Sequence, residues 1–252
     1  MSIEGNEIVE KSCALNKIRL TGMTLQELRF LSIYLAKINS KDESTKKVTF
    51  PLEDFQKIMN LGRMNIHHFQ QVTNSLLCKV YNQPSEDGGY VAFTLFKRCR
   101  VYKNKNDKWF IEIEASDDAL PLMFNIRGRY LKYELWNALS CKSANQVLMY
   151  ELLKSQEKNG RVEIKVSDLR SYLNIGNKEY IRWNNFKARV LDSCQKALEL
   201  HTDIKFTYER GEYGVGGKWL SVVFYIQKNE NYFDHLAITD YIDLSAILDE
   251  LE

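Results

Sequence analysis

Within residues 179–200, Trp183, Phe186, Val190, Cys194 and Ala197 recur at intervals of three and four, the spacing of one buried helical stripe. Arg182, Asn185 and Arg189 fall on the opposite face, with Lys178, Asn184 and Lys187 beside them, all toward the start of that helix. These side-chain types suit one kind of chemistry. Guanidinium forks match guanine O6 and N7, carboxamides match adenine, and an ammonium group matches phosphate. A helix so equipped can lie in a DNA major groove. An ordinary solvated helix face would carry the same residues, so the choice depends on the unit to which the helix belongs.

A second basic set, Lys97, Arg98, Arg100, Lys103, Lys105 and Lys108, lies around residues 90–114. Arg98, Arg100, Lys103 and Lys105 could rest over a nucleic-acid backbone. Equally, the strand at 90–102 could pair edge to edge with a second subunit, its charges guarding that edge. Arg210 and Lys218 flank a third basic position, the turn at 211–217. Catalytic patterns are absent from the sequence. Ile66-His-His-Phe69 sets two histidines side by side, and on a helix adjacent rings diverge by about 100°, which disfavours a shared metal. No GxxxxGK[ST], HxxxH or HExxH occurs, and the five cysteines form no CxxC pair. The sequence predicts no enzyme activity, no cofactor and no metal.

The elements that would position these residues repeat within the chain. Val48-Thr-Phe-Pro-Leu-Glu-Asp-Phe-Gln-Lys-Ile-Met-Asn-Leu-Gly62 aligns without a gap on Val162-Glu-Ile-Lys-Val-Ser-Asp-Leu-Arg-Ser-Tyr-Leu-Asn-Ile-Gly176. Each copy reads as a short strand and then a helix that begins at Pro51 or Ser167 and stops at Gly62 or Gly176. An amphipathic helix precedes each, about 24–38 and about 143–156, and a longer one follows, about 64–80 and about 179–200. Two strands close each copy, 90–102 with 108–114 and 203–210 with 218–227. Helix, strand, helix, helix, hairpin is the order of a winged helix. The expected fold is therefore α+β, two tandem winged-helix domains related by internal duplication. Residues 1–120 form the first and 143–228 the second; a connecting segment at 121–142 adds a helix near 131–139, and 229–252 form a tail. As third helix of the second unit, residues 179–200 occupy the place from which such folds read DNA. The matching helix of the first unit, with Arg63, Asn65, His67, His68, Gln70 and Gln71, has fewer cations.

Net charge is only +2, so bulk charge alone does not attract nucleic acid. Its distribution is uneven: residues 121–228 carry 18 basic and 11 acidic groups, whereas 229–252 carry 7 acidic groups and no basic ones. In that tail Tyr241, Leu244, Ile247, Leu248 and Leu251 fall at helical spacing, as in an acidic amphipathic helix. No run approaches the roughly 18 apolar residues of a membrane span, and the scattered cysteines suit a reducing compartment. A soluble, cytoplasmic protein is expected.

Tyr130-Leu-Lys-Tyr-Glu-Leu-Trp136, Ala144-Asn-Gln-Val-Leu-Met-Tyr-Glu-Leu-Leu153 and Tyr180-Ile-Arg-Trp-Asn-Asn-Phe-Lys-Ala-Arg-Val-Leu191 resemble the replication initiators of iteron-containing theta plasmids. The likeness is clearest over 130–228, and Phe-Lys-x-Arg-Val-Leu is its most specific piece. It implies double-stranded DNA as partner, with the second winged helix reading repeated origin sites through Arg182, Asn185, Lys187 and Arg189. It also implies a first winged helix that dimerises and touches adjacent backbone. Monomers would bind iterons, dimers would bind an operator and repress the protein's own gene, and the host initiator and helicase would be recruited. Relatives often carry a Gly-Arg-Lys cluster in the second wing; Val215-Gly-Gly-Lys218 offers one cation, leaving Arg210 and Lys218 as its candidate contacts. A tandem winged-helix transcriptional repressor without an initiation role is the alternative.

Overall fold

The computed structural model describes residues 3, 6–18, 22–58 and 66–230. These divide into two units after Leu139, with Gly22–Leu25 counted in the second. The acidic tail from residue 231 onward, with its expected helix, lies outside the described residues, as do Arg63, Asn65 and Gly62.

The first unit opens with β1 (Ile8–Ser12) and α1 (Cys13–Ile18), followed by α2 (Leu25–Lys37), β2 (Lys47–Pro51), α3 (Leu52–Ile58) and α4 (Ile66–Leu77). Next come β3 (Val80–Pro84), β4 (Tyr90–Thr94), β5 (Phe96–Lys103) and β6 (Trp109–Ala115). It ends with α5 (Leu120–Met123), β7 (Tyr130–Glu134) and α6 (Leu135–Leu139). Strands β2, β6 and β5 form one antiparallel sheet in that order, and β3 pairs with β4. Phe30 on α2 is the hub of the core. Its ring meets Phe50 of β2 at 5.8 Å, Phe55 of α3 at 5.4 Å, Phe69 of α4 at 6.3 Å and Phe96 of β5 at 6.4 Å. One aromatic cluster thus ties α2, α3 and α4 to the sheet, edge-on contacts adding to the apolar burial.

The second unit contains α7 (Ala144–Lys154), β8 (Arg161–Lys165) and α8 (Val166–Tyr172). A continuous helix follows, built of α9 (Trp183–Phe186), a π-helical turn (Lys187–Asp192) and α10 (Ser193–His201). β9 (Ile204–Arg210) and β10 (Ser221–Lys228) complete an antiparallel sheet in the order β8, β10, β9. Ser143 caps α7 by accepting a hydrogen bond from the Gln146 amide, and Tyr150 and Lys154 on the same helix both donate to Asp203 ahead of β9. Both units therefore have the helix, strand, helix, helix, hairpin order expected from the repeat.

Four expectations need correction. Residues 131–139 are half strand: Leu131 and Tyr133 are buried while Tyr130 and Lys132 are exposed, a period of two, and β7 pairs with β1 from Ile8↔Glu134 to Ser12↔Tyr130. Only Leu135–Leu139 is helical. The single strand expected at 90–102 is two: buried Leu95 interrupts it, β4 pairs with β3, and β5 pairs with β6 across an irregularity between Phe96 and Arg98. The stop at Gly176 is displaced, because α8 ends at Tyr172 and Asn174 takes the left-handed conformation (φ 55°), which asparagine tolerates. The third helix starts at Trp183 rather than 179, leaving Lys178 in the preceding turn.

Candidate nucleic-acid interface

The long helix of the second unit is fixed from beneath by its apolar stripe. Phe186, Val190, Leu191, Cys194 and Leu198 are buried, whereas Trp183 and Ala197 are only half-buried. Burial pushes the Cys194 thiol up, so it stays protonated and acts as a small hydrophobe. The turn leading into the helix is held by Arg170 on α8. Its guanidinium donates to the carbonyls of Gly176 (2.7 Å), Glu179 and Tyr180 (3.5 Å), and lies 5.2 Å from the centre of the Phe186 ring. Three carbonyls on one side chain fix a turn in which Tyr180 has a φ of 45°, a conformation that costs a non-glycine residue.

Arg182 occupies the N-cap position, in extended conformation. Arg182, Asn184, Asn185 and Arg189 are exposed, as is Lys178 in the turn before them. None of the five side chains has a hydrogen-bond or ion-pair partner among the described residues. Lys187 differs. Its ammonium is 2.9 Å from both Asp192 carboxylate oxygens and 5.5 Å from the Tyr208 ring centre, and Tyr208 donates to Asp192. Burial pushes the Tyr208 phenol up to about 12, and hydrogen bonding to Asp192 raises Lys187. Burial works against ionisation of Asp192, but Tyr208 and Lys187 together hold its carboxyl below the usual range. Arg182, Asn184, Asn185 and Arg189 thus lie exposed along the first part of one helix, whereas Lys187 engages Asp192 and the sheet residue Tyr208. On a regular α-helix residues five apart are separated by about 140°. The i→i+5 turn brings Lys187 and Asp192 together instead.

The wing between β9 and β10 runs longer than expected, over residues 211–220, and is tied by a bridge between Tyr213 and Trp219. Trp219 stacks on Trp183 with ring centroids 4.6 Å apart and planes at 29°, joining the wing base to the first turn of the helix. Both tryptophans line a cleft of about 670 Å³ together with Val166, Arg170, Ile181, Phe186 and Leu220. Arg210 lies over the Tyr213 ring at 5.0 Å, and Lys218 is exposed. Gly216 (φ 70°) and Gly217 (φ 75°) form the tip, where successive left-handed residues need glycine. Sequence reasoning missed the Trp183–Trp219 stack, which joins residues distant in sequence, and the Arg170 clamp, whose acceptors are backbone carbonyls that leave no side-chain signal.

In the first unit His67, Gln70 and Gln71 of α4 are exposed. The wing cations fall into two groups. Lys97 pairs with Glu114 at 3.0 Å, and Lys103 pairs with Asp107 at 2.7 Å while lying over Trp109. Arg98 and Lys105 are exposed without an ion pair among the described residues, and Arg100 packs over Tyr102 at 4.7 Å. β5, which carries Arg98 and Arg100, is the edge of its sheet.

Among the described residues no helix is long and apolar enough to cross a membrane, and no group of three His, Cys, Asp or Glu side chains could hold a metal. Comparison with curated proteins returns no match. Among solved structures, the crystal structure of Pi initiator protein in complex with iteron DNA superposes with a TM-score of 0.73 at 16% identity, over 90% of this chain and 99% of that one. The likeness establishes the tandem winged-helix fold. Residues 8–154 match the family description "Initiator Replication protein, WH1" and residues 165–226 match "Initiator Rep protein, WH2". With both winged helices matched in order over most of its length, the chain belongs to the replication initiator (Rep) protein family.

Proposed function

We propose that this chain initiates plasmid replication by binding direct repeats of double-stranded DNA at an origin. The helix beginning at Trp183 reads the major groove. The observation that carries this reading is the group of unpaired donors, Arg182, Asn184, Asn185 and Arg189, along the exposed start of the third helix of a winged helix. Recognition helices place their N-terminal residues against base edges. Guanidinium and carboxamide groups there can read guanine and adenine, while Lys178, Arg210 and Lys218 meet phosphates, a reading supported by the exposure of the two lysines. Lys187, engaged by Asp192 and Tyr208, supports the helix rather than touching DNA. The family membership and the fold shared with an iteron-bound initiator favour the same reading.

The first winged helix supplies a homodimer contact in equilibrium with monomer, or backbone contact through Arg98, Arg100, Lys103 and Lys105. β5 with its open edge suits the former, and its unpaired arginines suit the latter. Recruitment of the host initiator and helicase, and repression of the protein's own gene by the dimer, complete the proposal. Footprinting on the DNA flanking the gene tests it. Protected direct repeats in helical phase, about 20 base pairs apart or two turns, are expected. A single protected operator would instead indicate a transcriptional repressor, and no protection would end the DNA-binding reading.

A further inference from the structure

Ile181 stands out against its surroundings. It is 78% exposed, directly ahead of the N-cap residue Arg182, and every charged or amide side chain proposed above to read bases lies within eight residues of it. An aliphatic side chain held in water gains nothing by its exposure, and this one is held there. The carbonyl before it, that of Tyr180, and those of Glu179 and Gly176 are all gathered by Arg170, and the left-handed Tyr180 turns the chain outward at this point. Ile181 shares the lining of the cleft with Trp183, Phe186, Trp219 and Leu220, and of the exposed polar residues beside it Lys178, Arg182, Asn184 and Asn185 are cationic or uncharged and Glu179 alone is acidic, a balance that suits a DNA groove.

We infer that Ile181 is a specificity-determining residue that packs against the C5-methyl group of a thymine in the major groove beside the bases read by Arg182 and Asn185. The inference rests on the reading of the second winged helix as the DNA reader. The major groove displays one apolar group, the thymine methyl, and aliphatic side chains are its natural partners. A contact of this kind distinguishes thymine from cytosine at a position where Arg and Asn have no preference to express. The fixed turn matters because a methyl contact is short in range and lost if the side chain swings.

The test uses the full chain and a duplex that it selects from a random library. Each thymine is replaced singly by deoxyuridine, which removes the methyl and leaves every hydrogen-bonding group in place. At one thymine, affinity is expected to fall about fourfold, as for about 0.8 kcal/mol of one buried methyl group at roughly 1.4 kcal/mol per factor of ten. Ile181→Ala should bind the thymine duplex with a similar loss and be indifferent to uridine at that position, while Ile181→Val keeps most of the methyl dependence. Because Ile181 is exposed, neither variant is expected to unfold. The inference is overturned if no uridine substitution matters, or if Ile181→Ala retains the full uridine penalty. Arg189→Ala separates the two levels. If it weakens binding while uridine has no effect, the helix reads DNA without Ile181, and if the chain selects no duplex at all, both readings fall.

Discussion

Arg189 and Lys187 sit two residues apart on one helix, and replacing each by alanine should have opposite consequences. Arg189 is exposed with no partner among the described residues, so Arg189→Ala removes no intramolecular contact and should change folding stability by no more than about 0.5 kcal/mol. Its loss is in binding. A bidentate guanine contact is worth about 1–3 kcal/mol, roughly 5- to 140-fold in Kd, and the preference at one base pair should relax. Lys187 pairs with Asp192, and the two side chains are 43% and 42% exposed. Solvent screens such a pair to about 0.2–1 kcal/mol, and Asp192 keeps the Tyr208 hydroxyl after the change. Lys187→Ala should therefore lower the urea midpoint slightly. It should also leave the slope of log Kd against log salt nearly unchanged, where a lost phosphate contact would reduce it by about 0.9. Fluorescence anisotropy over a salt series, with urea unfolding of the same preparations, measures both. If the slope falls by about one in Lys187→Ala while Arg189→Ala binds normally, the exposed face has been assigned the wrong way round.

Three further outcomes follow from the packing. Phe30→Ala removes the ring on which Phe50, Phe55, Phe69 and Phe96 converge and should cost the first unit about 3–5 kcal/mol, leaving the unfolding of the second unit in place; a loss below about 1 kcal/mol by calorimetry would contradict the hub. Gly211→Ala places a Cβ 2.3 Å from both the Ser221 hydroxyl and Glu163 Oε1, disrupting the bond by which Ser221 donates to Glu163 at the wing base, so a loss of about 1–3 kcal/mol is expected and an unchanged melting temperature would refute it. Burial, and secondarily Lys142, lower the pKa of His201 from its ordinary 6.5, so the unfolded chain binds its proton more readily than the folded one. The contribution of this residue is present above pH 6.5 and is lost as pH falls through the lower folded value; thermal melts of the native chain should drop more steeply below pH 6.5 than those of His201→Gln, and parallel curves would exclude the effect.

The duplication was legible because its signals are local. Val48 and Val162 are each the second residue of a strand, and Asp54 and Asp168 lie in the first turns of matching helices. Periodicity also located Phe186, Val190 and Cys194 on the buried side and Arg182, Asn185 and Arg189 on the outer one. What it could not supply was pairing over distance. β7 needs β1, more than a hundred residues earlier, to satisfy its backbone, and without that partner Tyr130–Glu134 runs directly into the helical Leu135–Leu139. The same limit hid the stack of Trp219 on Trp183, while the Arg170 clamp was hidden because its partners are backbone carbonyls, which no side-chain pattern announces.

Lys187 shows a different limit, since a helix was expected around it but not the partners it takes. A wheel drawn at 3.6 residues per turn assumes a uniform helix, and the six residues Lys187–Asp192 depart from it. Widening the turn changes which side chains meet within it: Lys187 reaches Asp192 and the sheet through Tyr208, while Arg189 remains exposed. Such bulges are costly in a helix and tend to mark sites where a side chain must be re-aimed. Here the bulge follows the first helical turn directly. Asn184 and Asn185 thus sit on the regular turn just ahead of it, Arg182 at the extended N-cap, and Arg189 within it. If the bulge sets the angle at which Arg189 leaves the helix, substitutions that straighten the turn should alter base preference at the Arg189 position and spare that of Asn185.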